Sequence, residues 1–368
     1  MPPMLLNILG VLGIPVMIWA VWSTTRLARV NRRGTAGIDV AAYGLLPRAE
    51  LDPARGGPPA PEVAEAVRAA REGDWRPGAA LLAAAGQDWD LRWDRLSALA
   101  SVASRDERWL SAWRAERPKD PDAAAVYAQA LLHRAWDARG DGWAKDVSAE
   151  QVAGFSQLLP TSLYAAQEAA ALAPHDPSPW VTMVTAARGL VLPHEEFRQL
   201  WSELTARAPH HFFGHLNALQ YWCAKWCGSD RLAHRFAREA AASAPAHTLL
   251  SVLPLEASFE QALQGPGPVP LAGRNPKSEI NAVLNAVAAA PADDPRLPLV
   301  RHALAASLVL AGRGREALEQ FRLLEPWVGA QPWTCHADPV AAFDRARAIA
   351  VLRSGKWSAT AATAARGA

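Results

Sequence analysis

The sequence predicts an all-α fold, an irregular α-solenoid of helical hairpins preceded by one N-terminal transmembrane helix. Beyond Pro61 the chain consists of alanine-rich apolar segments at helical spacing, separated by short Gly-Asp, Gly-Arg and Pro-Asp turns. We find no convincing run of alternating β-branched and aromatic residues of the kind that indicates a strand. Prolines also recur at nearly constant intervals, which is typical of a repeat architecture.

Composition sets limits on partners and compartment. Half of the 368 residues are apolar, so the chain can bury a large core. With 38 basic and 36 acidic residues the net charge is +2, which gives no reason to expect a nucleic-acid partner. The three cysteines (Cys223, Cys227 and Cys335) are too few for a disulfide framework, which is typical of a reducing compartment.

A membrane anchor with a basic flank is predicted over residues 1–33. Met4–Trp22 is nineteen residues long and carries no charge, and a helix of that length just spans a hydrocarbon core of about 30 Å. Four arginines follow the segment within residues 26–33, whereas no basic residue precedes it. By the positive-inside rule we expect a single-pass protein of the inner (cytoplasmic) membrane, with its N-terminus outside and its C-terminal domain in the cytoplasm.

A cleaved export signal is the alternative for this segment, and it would place an exported domain in the envelope. Export signals carry positive charge before the apolar run and a small-x-small cleavage site after it. Here the charge follows the apolar run, and the sequence WAVWSTT offers only a poor cleavage site. The pattern therefore favours an uncleaved anchor over an export signal, and a buried or interfacial helix is the third alternative.

The next residues, 34–61, are predicted to form a linker, because glycine and proline are frequent there and discourage regular structure. We predict one helical repeat domain over residues 62–354 and a flexible tail over residues 355–368. The repeat domain should consist of hairpins, because one amphipathic helix pair cannot cover its own apolar face.

The repeat itself has a period of 35 or 36 residues. The intervals run from Pro174 to Pro209, from Pro209 to Pro245 and from Pro291 to Pro326. In the unit from Ser178 to Pro209, the apolar residues have the spacing of the tetratricopeptide repeat, a helix–turn–helix unit of 34 residues. These residues are Trp180, Met183, Val184, Ala187, Phe197, Trp201, Leu204 and Pro209.

The chain therefore resembles tetratricopeptide-repeat proteins, and it is also similar to a group of actinobacterial, membrane-anchored proteins of this kind. Further matches are Ala233, Ala237 and Ala240, and then Ala317, Phe321 and Leu324. About twenty extra residues separate the helix at Tyr127 from that at Leu163, and a Gly/Pro-rich stretch follows Gln264. We expect an irregular array of roughly six to eight helical pairs.

The resemblance implies a protein partner, a peptide or a helix, held in the groove of the array close to the membrane. Such grooves use polar side chains of the first helices to bind peptide backbones and termini. The nearest matches in this sequence are Thr185, Arg188, Asn217, Gln220 and Lys225. We therefore predict a membrane-tethered interaction scaffold, without enzymatic activity, a cofactor or a small-molecule substrate.

A metal- or thiol-dependent enzyme or sensor is the alternative function. His211 and His215, and then Cys223 and Cys227, stand four residues apart, and such side chains bind zinc or copper. Two helical turns, roughly 12 Å, separate His215 from Cys223, which is too far for one ion to take all four donors. The sequence also contains no phosphate-binding glycine loop, no GxSxG and no HExxH motif.

The sixteen tryptophans include three pairs at four-residue spacing. An aromatic cage for a sugar or a methylated cation could use such pairs. Stacked helix pairs also need large side chains between their layers, and indoles serve that purpose well, so we predict packing as their main role. The pairs are Trp89 and Trp93, Trp109 and Trp113, and Trp222 and Trp226.

Overall fold

The computed structural model describes residues 35, 37–58, 60–140, 148–264 and 276–355, and it confirms the all-α class. In these ranges there are fifteen α-helices and no strand. The helices are α1 (Pro61–Arg71), α2 (Arg76–Ala83), α3 (Trp89–Arg105), α4 (Arg108–Glu116), α5 (Pro121–Arg139), α6 (Ala149–Leu172), α7 (Ser178–Gly189), α8 (His194–Arg207), α9 (Phe212–Trp222), α10 (Asp230–Ser243), α11 (Leu253–Gln264), α12 (Pro276–Ala289), α13 (Leu297–Leu310), α14 (Gly314–Leu324) and α15 (Pro339–Arg353).

The predicted transmembrane helix, Met4–Trp22, lies outside the described residues, and so does the predicted tail beyond Gly355. Within the described ranges, every helix is either too short or too polar to cross a bilayer. The membrane anchor and the tail therefore both stay predictions.

The chain forms two compact units. The predicted bounds of the repeat domain, residues 62–354, stay a prediction. The central unit is Pro59–Ala244 and contains α1 to α10. The terminal unit combines the described residues before Pro59 with those from Pro245 onward, and it contains α11 to α15. Residues 37–58, which fall within the predicted linker, group with the terminal unit, and the boundary between the units follows α10.

In the central unit, successive helices pack as hairpins, and alternate helices also contact one another. The α5–α6, α6–α7, α7–α8 and α9–α10 pairs are in contact, as are α3 with α5, α5 with α7 and α7 with α9. In an ideal solenoid each repeat contacts only its neighbours. Here α3 additionally contacts α7 and α9. The solenoid arrangement therefore stays a prediction, although the hairpins that it requires are present.

The predicted repeat unit from Ser178 to Pro209 corresponds to α7 and α8, which form one hairpin. Its predicted core is buried or half-buried, because these side chains share the inward faces of the two helices. The buried positions are Met183, Val184, Ala187, Phe197 and Leu204, while Trp180 and Trp201 are half-buried. The sequence pattern thus located both the helices and their inner faces.

Small side chains allow the longest helices to pack closely. Ala128 and Ala135 on α5 are fully buried against α6, which contributes Ala165, Ala166 and Leu159. Larger side chains fill the remaining space, because protein interiors are close-packed. The frequent alanines of the sequence therefore serve helix–helix contact in addition to helix propensity.

Part of the first predicted insertion forms regular structure. The Ser148 hydroxyl accepts the Gln151 N–H, and the Gln151 side chain accepts the Ser148 N–H, which is a capping box. This cap begins α6, which continues for 24 residues and includes Pro160. The insertion therefore lengthens a helix that packs against both α5 and α7.

The N-terminal ends of α3, α5 and α7 meet at one buried cation, Arg92. Arg92 of α3 is 8% exposed; its Nε donates to Asp176, 2.8 Å away, and its guanidinium also donates to Asp122. Asp176 precedes α7 and accepts the Ser178 N–H at 2.7 Å, while Asp122 lies in the first turn of α5. Acidic groups are favourable at helix N-termini, and Arg92 balances two of them.

Helix α9 joins this arrangement through Asp90, which is also on α3. The Asp90 Oδ1 atom accepts the backbone N–H of Phe212, the first residue of α9, at 2.8 Å. The same oxygen lies 3.2 Å from Nδ1 of His211. We refer to Asp90, Arg92, Asp122, Asp176 and His211 as the Arg92 cluster.

In the terminal unit, residues 39–58 form an N-terminal strap along α13, α14 and α15. Two backbone hydrogen bonds join Asp52 to residues that follow α14: the Asp52 N–H donates to Pro326 O and the Asp52 carbonyl accepts from Val328 N–H, both at 2.8 Å. Gly329 N–H donates to Arg55 O at 2.7 Å. Backbone hydrogen bonds therefore join the strap to the segment that follows α14.

Buried charges hold the strap from the helix side. Arg347 of α15 is fully buried, donates to Leu46 O at 2.8 Å and forms ion pairs with Glu325 and Asp344. Glu325 in turn accepts the Leu46 N–H at 2.7 Å. The side chains of Arg347 and Glu325 thus satisfy both polar groups of the half-buried Leu46 backbone.

A buried histidine fixes the end of the strap. Trp333 Nε1–H donates to His302 Nδ1 at 2.9 Å, so the remaining imidazole proton lies on Nε2 and is donated to Gly56 O at 2.8 Å. Burial lowers the pKa of His302 to about 4. The neutral ring can therefore serve as donor and acceptor at once.

We expect Arg92→Met to destabilise the central unit by about 3–5 kcal/mol, because it leaves the carboxylates of the half-buried Asp122 and the buried Asp176 without their cation. Urea unfolding followed by circular dichroism measures this loss. Arg68→Met is the matched control: Arg68 pairs with Glu72 on the exposed surface of α1, and its loss should cost less than about 1 kcal/mol. Equal effects of the two substitutions would contradict the role of Arg92.

We expect Gly329→Ala to loosen the strap, because a Cβ atom there would lie 2.5 Å from Pro53 O and 2.6 Å from Arg55 N. Limited trypsin digestion should then cleave the strap faster after Arg48 and Arg55. Gly154→Ala is the control, since its Cβ would meet only the Ala138 methyl group at 3.4 Å. Unchanged cleavage of the Gly329 variant would show that the close approach is not needed.

Candidate functional site

A cation–aromatic cluster of Trp136, Arg139, Arg188 and Trp226 lies at the surface of the central unit. The two indoles are edge to face, with ring centroids 5.5 Å apart. The Arg188 guanidinium lies 4.5 Å from the Trp136 centroid and 5.3 Å from that of Trp226. Arg139 lies 5.8 Å and 5.2 Å from the same two centroids. Both cations thus share both aromatic faces.

The cluster lies at the C-terminal ends of helices whose N-terminal ends form the Arg92 cluster. Arg139 is the last residue of α5, and Arg188 lies in the last turn of α7. Cations are favourable there, because the helix dipole is negative at the C-terminus. All four side chains are half-buried, so each keeps some surface exposed. The helix dipoles explain why Arg139 and Arg188 are favourable at these positions. The exposed parts of the two indoles are available for contact with another molecule.

The loop after α9 carries Trp226 into this position. Gly228 is essential to the loop, since a Cβ atom there would lie 1.9 Å from Trp222 O. His194 Nε2 makes a 2.6 Å hydrogen bond with Cys227 O. Burial raises the pKa of the Cys227 thiol, and the Tyr221 hydroxyl and the charge of Arg188 oppose this only in part. The thiolate is the reactive form of cysteine, so this environment does not favour thiol chemistry.

The structure distributes the five predicted groove residues over three segments. Arg188 belongs to the cation–aromatic cluster, and the exposed Lys225 directly precedes Trp226. Thr185 is buried, and its hydroxyl donates to Val181 O one turn earlier at 2.8 Å. Asn217 donates to Phe213 O at 2.9 Å, and Gln220 is half-buried on the same helix, α9. Arg188 and Lys225 are the two that lie at the cluster.

At the alternative metal or thiol site, His211, His215 and Cys223 make packing contacts or hydrogen bonds within the protein. His215 packs against Trp201, with ring centroids 4.8 Å apart, and burial lowers its pKa to about 4. The Cys223 thiol is buried and donates to Leu219 O. His211 Nδ1 accepts the Gly214 N–H and caps α9. In the described ranges no group of three or more His, Cys, Asp or Glu side chains is arranged to hold a metal ion.

Sequence reasoning missed Trp136 and Arg139, and it assigned Trp226 to core packing. Trp136 and Arg139 are three residues apart near the end of α5, so they lie on neighbouring positions of one helix face. That spacing is visible in the sequence. Their proximity to Arg188 and Trp226 depends on the packing of α5 against α7 and on the loop after α9, which the sequence does not show.

A second group with unusual protonation occurs in the terminal unit. Glu256 and Glu260 stand four residues apart on α11, and Glu260 is 1% exposed. Burial raises the pKa of Glu256 to about 7, and the negative charge of Glu260 contributes to the shift. Such shifts are common at functional sites, but they also follow from structural burial. Glu256 borders a narrow crevice with room for a single water-sized sphere, which is too small for a substrate.

Comparison with protein-family models, with curated proteins and with solved structures found no match to this chain. The resemblance to the tetratricopeptide repeat therefore stays a prediction from the sequence.

We expect the free energy of unfolding to decrease as the pH rises from 4.5 to 7, because of Glu256. Its ordinary pKa is 4.5 and its folded pKa is about 7, so the native state binds more protons in this interval. Glu256→Gln removes the titrating carboxyl group and should stabilise the chain above pH 7 by up to about 3 kcal/mol. Below pH 4.5 the variant and the wild type should be equally stable.

The measurement is urea unfolding at several pH values, with Glu319→Gln as the control. Glu319 is an exposed glutamate on α14 of the same unit, and its replacement should leave the pH dependence of stability unchanged. A difference between the wild type and Glu256→Gln that is constant from pH 4 to pH 8 would disprove the shift.

Proposed function

We propose that this protein is a membrane-tethered interaction scaffold that binds a protein partner through the cation–aromatic cluster of its central unit. The observation that carries the proposal is the placement of Arg139 and Arg188 over the same two indoles, Trp136 and Trp226. Tryptophan and arginine are the residue types most enriched among side chains that dominate binding energy at protein interfaces.

The geometry supports binding more than catalysis. The cluster is preorganised, because its two arginines lie on aromatic faces and at helix C-termini before any partner arrives. Its rings offer apolar contact, while the guanidinium groups can donate several hydrogen bonds to a carboxylate or a peptide carbonyl. A peptide or an exposed helix of a partner protein presents both kinds of group.

Membrane attachment is part of the proposal and depends on the sequence of Met4–Trp22. The uncharged length and the arginines that follow it support a single-pass anchor with the folded units in the cytoplasm. Residues 39–58 pack into the terminal unit, so at most 16 residues, 23–38, separate the predicted anchor from the strap. Such a segment spans at most about 55 Å, which would keep the terminal unit near the bilayer.

Site-specific photocrosslinking in native membranes tests the binding role. We expect a photoreactive residue at Lys225, which is exposed beside Trp226, to give a defined crosslinked product with a partner protein. The same residue at Glu65, which is exposed on α1, should not give this product. The product should decrease by about fivefold or more in the Arg139→Gln/Arg188→Gln variant, because interface arginines often contribute strongly to affinity.

The glutamine substitutions keep polar side chains at both helix ends, and circular dichroism confirms that the variant is folded. Absence of a product at Lys225, or an equal product in the double variant, would exclude the cluster as the binding surface. A reporter fused after Arg33 tests the anchor separately: cytoplasmic activity agrees with the proposed orientation, and periplasmic activity contradicts it.

A further inference from the structure

A groove of about 250 Å³ lies between α8 and α10, and it shares no lining residue with the cation–aromatic cluster. Three aromatic side chains line it: Trp201 from α8, Trp222 from the end of α9, and Phe236 from α10. Trp201 and Phe236 are half-buried, with ring centroids 5.3 Å apart. A groove of this size accepts one large side chain between the helices.

The sequence of α10 places Phe236 beside a stripe of cations. Leu232 and Phe236 are four residues apart and form an apolar stripe that lines the groove. Arg231, Arg235 and Arg238 are all exposed and follow at i, i+4 and i+7, so they form a parallel stripe on the adjoining face. An amphipathic surface of this kind differs from the buried face of α10, which consists of alanines and His234.

Arginines also flank the groove on both of its sides. Arg198 of α8 is exposed, and its guanidinium lies 5.7 Å from the centroid of Trp222. Arg235 faces it from α10 as a lining residue. The acidic lining residue is Glu239, whose carboxylate is 4.0 Å from Arg235 Nε. Because both side chains of this pair are largely exposed, the pair contributes little, and Arg235 can turn toward another carboxylate at small cost.

We propose that the α8–α10 groove docks an acidic segment of the protein partner, with one large apolar or aromatic side chain inserted among Trp201, Trp222 and Phe236. Carboxylates on either side of that residue would then meet Arg198 and the arginines of α10. This inference rests on the proposed scaffold function and identifies the chemistry of the partner. The arginines at the rim favour acidic residues in the docked segment, and the aromatic lining favours one apolar residue between them.

A lipid surface is the competing occupant for a basic, partly apolar helix, and the groove argues against it. Membrane-binding helices present their apolar side chains outward, whereas Trp201 and Phe236 line a concavity between two helices. A peptide side chain fits the concave shape better.

A random 12-residue peptide library displayed on phage, panned against the full-length chain in detergent micelles, tests this proposal. We expect enriched sequences to combine one aromatic or large aliphatic residue with several acidic residues. The affinity of a selected synthetic peptide should fall about tenfold or more in the Arg198→Glu/Arg235→Glu variant. Both positions are exposed, so this variant should fold, and circular dichroism checks that it does. Panning against this charge-reversed variant should enrich basic peptides instead.

Two control variants and one lipid probe separate the possible outcomes. Arg68→Glu/Arg71→Glu makes the same charge change on the exposed face of α1 and should leave peptide affinity within about twofold of the wild type. Arg139→Gln/Arg188→Gln should also leave it unchanged; a loss there would assign the peptide to the cation–aromatic cluster, which refutes the groove and favours the proposed function. No enrichment, enrichment without acidic residues, or charge-dependent binding of phosphatidylglycerol vesicles in place of peptides would each overturn the inference. Failure of the crosslinking at Lys225 alone would leave this result unaffected.

Discussion

The ion pairs of Arg92 are the interaction on which the central unit most depends. A guanidinium that is 8% exposed binds carboxylates from the start of α5 and from the residue that leads into α7. Each of these carboxylates is placed near the positive end of a helix dipole, where an acidic group is favourable. Without the buried cation, these acidic groups would repel one another in a poorly solvated interior. Arg92 therefore permits the N-terminal ends of several helices to meet.

The same constraint explains the character of the opposite end. Because α5 and α7 start together, they also end on the same side of the unit, where their dipoles favour cations. Arg139 and Arg188 occupy those ends and lie over the half-buried Trp136 and Trp226. Buried carboxylate–arginine pairs thus lie where these helices begin, and arginines beside indoles lie where they end. A surface suited to binding follows from the electrostatics that orders the helices.

In the terminal unit, turns and helix side chains hold the strap, and the described residues of this unit contain no sheet. The backbone groups of the strap find partners in the turn after α14 and in the buried side chains of Arg347, Glu325 and His302. Close approach is possible because Gly329 has no side chain to separate the two backbones. A segment rich in glycine and proline can therefore be ordered when neighbouring residues satisfy its backbone polar groups.

The sequence alone determined the all-α class, the hairpin of α7 and α8 and their inward faces, because helical periodicity and proline turns are local properties. It also contained the capping pair Ser148 and Gln151, from which the start of α6 could have been predicted. The membrane anchor and the repeat family stay predictions of this kind. Only the tertiary structure decided that residues 39–58 belong to a folded unit and that Arg188 meets Trp136 and Trp226. Those contacts join residues far apart in the chain, and no local pattern specifies which distant partner a buried charge or an aromatic ring will find.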